Sequence, residues 1–290
     1  MTFVLAHGTA PSLASELWRH WTFEPITAAL LVLSAIVYAI GVSRLWRRAG
    51  VGRGIRRWEA AAFCAGLASL AGALLSPLAW LSSLLFSAHM TQHEALMLVA
   101  APLLVFGRPL QAAHWALPSA HRERTGRWTR RQAVAAGWRL LTGPAAAFAL
   151  HGAALWIWHV PALYEAALRS EAVHAVQHVS FVVAAALFWW GMMHGRYGRF
   201  GYGIGVLYVF LTTVHSSVLG ALLTVAPSLW YPAYATTAAA WRIDPLEDQQ
   251  LAGLLMWVPS GIIFIVFGLA LLAAWLGESE RRVRLGSVSR

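Results

Sequence analysis

The sequence predicts an all-α fold, a polytopic membrane bundle of seven transmembrane helices forming one domain, with the N-terminus outside and the C-terminus inside. Three observations predict it. Of 290 residues, 59% are apolar and 12% charged, with a mean hydropathy of +0.58, which leaves too little polar surface for a soluble domain. Seven apolar stretches approach the roughly 20 residues with which a helix crosses a hydrocarbon core of about 30 Å. Arginines crowd into alternate loops, and short Arg-rich loops stay in the cytoplasm.

The first helix is expected at 26–43. The segment before it, 1–14, has no basic start and too short an apolar run for a signal peptide, so it reads as a retained tail. Arg44, Arg47, Arg48, Arg53, Arg56 and Arg57 follow, and place that loop inside. The second helix is expected at 58–76 and the third at 85–107, where Pro102 deletes a backbone bond and predicts a kink. The next loop carries Arg108, Arg122, Arg124, Arg127, Arg130, Arg131 and Arg139, interleaved with Trp115, Trp128 and Trp138. It reads as a stretch on the inner leaflet or as a plain basic loop. Gly143 and Pro144 open the fourth helix, 143–160, and Pro161 closes it. The fifth is expected at 172–193, before Arg196 and Arg199, and the sixth at 203–225. The seventh, 250–275, contains Pro259 and a second predicted kink. Arg281, Arg282, Arg284 and Arg290 end the chain inside, so only Arg19, Arg169 and Arg242 fall outside.

The net charge of +10 is thus an orienting signal and not a nucleic-acid surface. All basic residues are arginine, which excludes Schiff-base and P-loop lysine chemistry, and the single Cys64 excludes a disulfide or a paired-thiolate site. The outer side holds three arginines against Glu16, Glu24, Glu165, Glu171, Asp244, Glu247 and Asp248, an acidic face that favours cations.

Seven of the twelve histidines fall in predicted helices: His89, His93, His151, His159, His174, His178 and His215. Ionisable groups at membrane depth default to function. His89 with His93, and His174 with His178, are each four residues apart and share a helix face, able to bind one metal ion or flank two. Both pairs begin helices that enter from outside; His159 ends the fourth helix at that level, and His215 lies in the outer half of the sixth. His151 is deeper and reads as a supporting or core residue, His194 as interfacial. Met90, Met97 and Met256 offer thioethers near this layer, and Glu94, Glu247 and Asp248 offer carboxylates. Imidazole with thioether favours copper, particularly Cu(I), whereas imidazole with carboxylate suits zinc or iron. The candidate metal set is therefore His89, His93, His159, His174, His178, His215, Met90, Glu94, Glu247, Asp248 and Met256. Gln249 and Gln250 enter the membrane and need polar partners, for which the histidine layer is the expected source.

The segments HMTQHEALMLVAAPLLVFGRPL from His89, WIWHVPALYEAAL from Trp156, HAVQH from His174 with the FWW of Phe188 to Trp190, LGALLTVAPSLWYPAY from Leu219 and LEDQQLAGLLMWVP from Leu246 together resemble the CtaG-type cytochrome c oxidase assembly factors of bacterial inner membranes. The resemblance spans the third helix to the seventh. It implies an assembly role without catalysis, copper as cargo with zinc as the alternative, outer-face histidines as its ligands, and a haem–copper oxidase subunit or its copper chaperones as partners. Glu94 departs from the family pattern, where an apolar residue is expected; a carboxylate beside His93 hardens the site and weakens a purely Cu(I) reading.

Two other classes stay open. An intramembrane zinc hydrolase would use three histidines and a carboxylate base, although no HExxH is present. A haem-binding oxidoreductase would use facing histidines as axial ligands, although a second site near the inner face has only His194. A copper permease should show polar groups through the full depth, and the inner halves of the helices are nearly bare of them.

Overall fold

The computed structural model describes residues 18–194 and 201–288, all in helices and their connections, with no strand among them. The tail 1–14, Glu16, Arg196, Arg199 and Arg290 lie outside the described residues. The helices are α1 (Pro25–Ala49), α2 (Arg57–Leu75), α3 (Pro77–Leu81), α4 (Phe86–Glu94), α5 (Ala101–Phe106), α6 (Pro109–Ala116), α7 (Ser119–Thr129), α8 (Gln132–Leu141), α9 (Pro144–Trp158), α10 (Pro161–Arg169), α11 (Glu171–His194), α12 (Gly201–Thr224), α13 (Ala235–Ala240) and α14 (Pro245–Val288). A π-helical segment, Ala95–Ala100, joins α4 to α5.

Five helices are long and apolar enough to cross a membrane: α1, α2, α11, α12 and α14. Two bent pairs raise the number to seven if each is one span: Phe86–Phe106 with α6, bent by 52°, and α8 with α9, bent by 56°. Large apolar side chains such as Leu30, Leu33, Val179, Val183, Ile262 and Val266 stand exposed around them, as surfaces meeting lipid do.

Capping sets where the helices begin. The Glu24 carboxylate accepts from Ile26 N and Thr27 N at the start of α1 (3.1 and 2.6 Å). Asp244 does the same for Leu246 N and Glu247 N at α14 (2.8 and 3.1 Å). At the opposite end of the bundle, buried Glu59 accepts from Arg56 N at 2.7 Å and pairs with Arg108 Nε at 2.7 Å. That ion pair holds the turn into α6, where Arg108 adopts a left-handed φ of 53°. There α1 comes close to α6: a Cβ on Gly41 would stand 1.9 Å from the carbonyl oxygen of Ala112.

The proline effects at Pro102 and Pro77 are local and compensated. In the π segment a carbonyl pairs with the N–H five residues on, as Leu96 does with Ala101. The Met97 carbonyl would then need the N–H of residue 102, which proline lacks. The indole of Trp189 on α11 donates to Met97 O instead, at 3.0 Å, so the neighbouring helix supplies the missing bond inside the apolar layer. Gln92 likewise donates to Ala73 O at 2.7 Å, a last-turn carbonyl of α2 that Pro77 cannot serve. α14 continues through Pro259, where the Ser260 hydroxyl adds a bond to Met256 O at 2.6 Å, not to the Leu255 carbonyl that the proline leaves without its helical donor.

α12 and α14 also pack closely. A Cβ on Gly220 would meet Cβ of Trp257 at 2.6 Å, and one on Gly253 would meet the Gly220 carbonyl oxygen at 2.6 Å. Backbones approach this closely in membranes through small residues, because dispersion rather than hydrophobicity drives the association. Gly253→Leu is therefore expected to destabilise the bundle by about 1–3 kcal/mol. Gly261→Leu, where an added Cβ meets nothing within 4 Å, should change stability by under about 0.5 kcal/mol. Denaturation of both variants in mixed micelles checks this, and equal effects would contradict the packing.

A candidate metal centre

The side chain that positions the site is Asp248, on the first turns of α14. No side chain of its own segment caps α4. The buried Asp248 carboxylate does so instead, accepting from Phe86 N at 2.7 Å, from Ser87 N at 3.3 Å and from the Ser87 hydroxyl. A carboxylate at a helix N-terminus meets both the free N–H groups and the positive end of the dipole. This bond fixes α4 against α14 one turn before His89.

His89 and His93 then face His174 and His178 of α11. Ring centroids are 4.4 Å apart for His89 and His93, 4.2 Å for His174 and His178, 5.2 Å for His89 and His174, and 5.3 Å for His93 and His178. One ring nitrogen from each of His89, His174 and His178 lies within 4.8 Å of the others. Nε2 of His93 is 3.0 Å from Nε2 of His89. His89 and His93 are buried, and His174 and His178 half-buried. His93 Nδ1, His174 Nε2 and His178 Nε2 are enclosed and have no hydrogen-bond partner, and such groups are costly at membrane depth.

Tyrosines close the cluster from the near end. Tyr234, at the end of a 3₁₀ turn (Pro232–Tyr234) between α12 and α14, places its hydroxyl 2.9 Å from His89 Nδ1, 3.2 Å from Ser82 O and 3.3 Å from the Tyr164 hydroxyl. Burial pushes the Tyr234 phenol further above its ordinary range, so the hydroxyl keeps its single proton. Given to the Ser82 carbonyl, which can only accept, that proton leaves the oxygen to accept from His89 Nδ1–H. His89 Nε2 then carries a lone pair directed into the cluster, the arrangement by which an outer hydrogen bond orients a metal-binding imidazole. Tyr231 donates to His159 O at 2.8 Å, and its ring packs on Tyr164 and Phe86 at 4.3 and 4.7 Å.

The remaining candidates separate. His159, the residue after α9, directs Nδ1 to Leu155 O at 2.7 Å, and its Nε2 has no partner. Phe181 touches both it and His93, at centroid distances of 6.4 and 4.7 Å. His215 pairs with His151 at 5.9 Å, against Phe148 and Phe188. Met90 is packed in the main apolar core. Glu94 and Met256 line a different, small cavity together with His151. Glu247 is exposed and Asp248 is committed to the α4 cap.

Gln249 and Gln250 do not turn to the histidines: Gln249 bonds Trp230 N and Ser228 O (2.6 and 3.1 Å), and Gln250 bonds Ala226 O (3.2 Å). They fasten the connection after α12, because its unpaired backbone groups lie nearer than the imidazoles. The acidic face is also largely consumed: Glu24, Asp244 and Asp248 cap helices, and Glu165 pairs with Arg169. Sequence reasoning left Tyr164, Tyr231 and Tyr234 unassigned although they stand in the PALYEAAL and WYPAY segments. It also passed over Gln177, which is fully buried between the two α11 histidines with both side-chain polar atoms unpartnered. A polar residue inside an apolar helix was the available signal.

His178 also edges a cleft of about 710 Å³ lined mainly by apolar side chains of α1, α2 and α11, among them Leu30, Val37, Leu70 and Val182. With tyrosines over the near end, this side of the cluster faces the apolar layer.

A family model described as cytochrome c oxidase caa3 assembly factor matches residues 36–278. Among curated proteins, the chain is 28% identical over 281 residues to uncharacterized proteins of Mycobacterium bovis and Mycobacterium tuberculosis, covering 93% of this chain and 42% of each of theirs. A Mycobacterium leprae protein is 26% identical over 275 residues, covering 90% of this chain and 40% of its own. The chain thus spans about two fifths of the length of the curated relatives it matches. No solved structure matches it.

Because Asp248 holds the start of α4, Asp248→Asn is expected to cost about 1–3 kcal/mol by weakening charge-assisted bonds to buried N–H groups. Exposed Glu247→Gln should cost under about 0.5 kcal/mol. Thermal unfolding in detergent distinguishes the two.

Proposed function

The chain belongs to the cytochrome c oxidase caa3 assembly factor family, and from that membership we propose that it serves oxidase assembly by holding a copper ion among His89, His93, His174 and His178 for the maturing haem–copper centre. The observation that carries this reading is the convergence of four imidazoles, three of which keep an enclosed ring nitrogen without a hydrogen-bond partner (His93 Nδ1, His174 Nε2 and His178 Nε2), while His89 Nε2 meets only His93 Nε2. A cation supplies what those lone pairs lack, and an all-imidazole set suits copper or zinc. The protein's part is to orient the rings, through Tyr234 on His89 and the Asp248 cap, and to exclude water with the tyrosine cover. His159 stands next to this set, beyond Phe181.

In this reading seven spans cross a bacterial inner membrane, with the histidine end outside and the arginine loops inside. No turnover is required of the chain. A haem–copper oxidase subunit or a copper chaperone is the partner, and zinc is the alternative ion.

The hydrolase reading lacks a base at the cluster. Asp248 is bound to α4, Glu247 is exposed, and Glu94 lines another cavity. Haem would need a flat slot between facing histidines, whereas these rings pack with centroids 4.2 to 5.3 Å apart.

Metal analysis of detergent-purified protein tests the proposal. His89→Ala/His93→Ala and His174→Ala/His178→Ala are each expected to lose the copper of the cluster, and retention by both would contradict one shared site. A deletion strain should contain less active oxidase when copper is limiting; full oxidase content there would refute the assembly role. Tyr234→Phe should weaken copper binding about 10–100-fold, as loss of an outer-sphere bond does, while the protein stays folded.

A further inference from the structure

The buried polar groups of the bundle form two clusters, not one. Below the four-histidine set, Glu94, Met97, His151, Ser216, Met256 and Ser260 line a small cavity of about 10 Å³, the space of one water molecule or one ion. Four separate stretches of chain meet here: the end of α4, the middle of α9, the outer half of α12 and the turn of α14 that precedes Pro259. Glu94 stands at the junction with the π segment, a widening of the helix that recurs at functional sites.

Two side chains that line this cavity each have an unpartnered atom. Glu94 Oε2 and His151 Nδ1 are enclosed and make no hydrogen bond. The ion pairs among the described residues engage Glu59 and Glu165, not Glu94. A lone ionised carboxylate in a hydrocarbon layer is costly unless a bound proton or another positive charge neutralises it. Beside it the cavity offers the His151 imidazole and the thioethers of Met97 and Met256, and thioether with imidazole favours soft monovalent copper. A monovalent ion bound to one carboxylate is neutral overall, which removes the burial cost of both, whereas a divalent ion would leave a net charge.

We propose that Glu94, His151 and Met256 form a second, single-ion site for Cu(I), distinct from the four-histidine cluster and deeper in the bundle. The two sites share no ligand. His215, whose ring lies 5.9 Å from His151, stands behind the imidazole and is not assigned to the ion. The site does not depend on the histidine cluster binding anything.

The test is titration of the full-length protein in detergent with Cu(I) under anaerobic reducing conditions, with X-ray absorption at the copper edge. Wild type should bind two ions per chain and show a sulfur scatterer on half of the copper. Met256→Leu and Glu94→Gln should each bind one, with the sulfur shell gone in Met256→Leu. His89→Ala/His174→Ala should also bind one, now with sulfur on all of it. Melting temperatures identify any variant that has merely unfolded, and Met256→Leu keeps volume and polarity close to the original. The proposal is overturned if wild type shows no sulfur shell, or if Met256→Leu and Glu94→Gln keep full stoichiometry; the cavity then holds water. Loss of the sulfur-free ion alone in the histidine variant bears on the cluster, and loss of the sulfur-bound ion alone in the methionine variant bears on this site, so the two readings fail separately.

Discussion

The carboxylate of Asp248 accepts the first backbone N–H groups of α4 from a position 161 to 162 residues further along the chain, and most of the site geometry follows from that bond. It sets the depth of α4 relative to α14, and so the level at which His89 and His93 stand. Their partners on α11 come to the same level through a second link, the Trp189 indole on the Met97 carbonyl. Both are side chain to backbone bonds in a medium that offers no water in their place. Losing either leaves a buried backbone group unsatisfied as well as shifting a helix.

The same constraint explains why polar residues were partly misread from sequence. The spacing of His89 with His93 and of His174 with His178 placed each pair on one helix face, and those rings do gather. The apolar stretches located most of the long helices within a few residues, except that α1 runs to Ala49, past the expected end at 43, and α14 starts at Pro245 and runs to Val288, beyond the expected 250–275. What spacing could not reveal was which acids and amides would be taken up by nearby backbone. Asp248, Asp244, Gln249 and Gln250 all serve unpaired N–H or C=O groups of connections and helix ends. The expected outer acidic layer is thereby reduced to a set of caps. Tyr234 reaches His89 across 145 residues, a contact with no local sequence signal.

The sequence places the two i,i+4 pairs, His159 and His215 toward the outer face and His151 deeper, but spacing along one helix does not say which of these rings meet across helices. The structure divides them. His89, His93, His174 and His178 face one another between α4 and α11, while His151, His215, Glu94 and Met256 face inward between α9, α12 and α14. Aromatic rings, chiefly Phe181 and Phe188, occupy the space around and between them. On the proposed reading, each set would prefer its own ion or oxidation state.

The central claim is that the four imidazoles bind copper as a unit, and anomalous diffraction at the copper edge from copper-loaded crystals tests it most directly. The account predicts an anomalous peak bounded by His89, His174 and His178, within bonding reach of their inward nitrogens. A map with no peak there, or with copper only on histidines remote from the cluster such as His114 of α6 and His121 of α7, would contradict it.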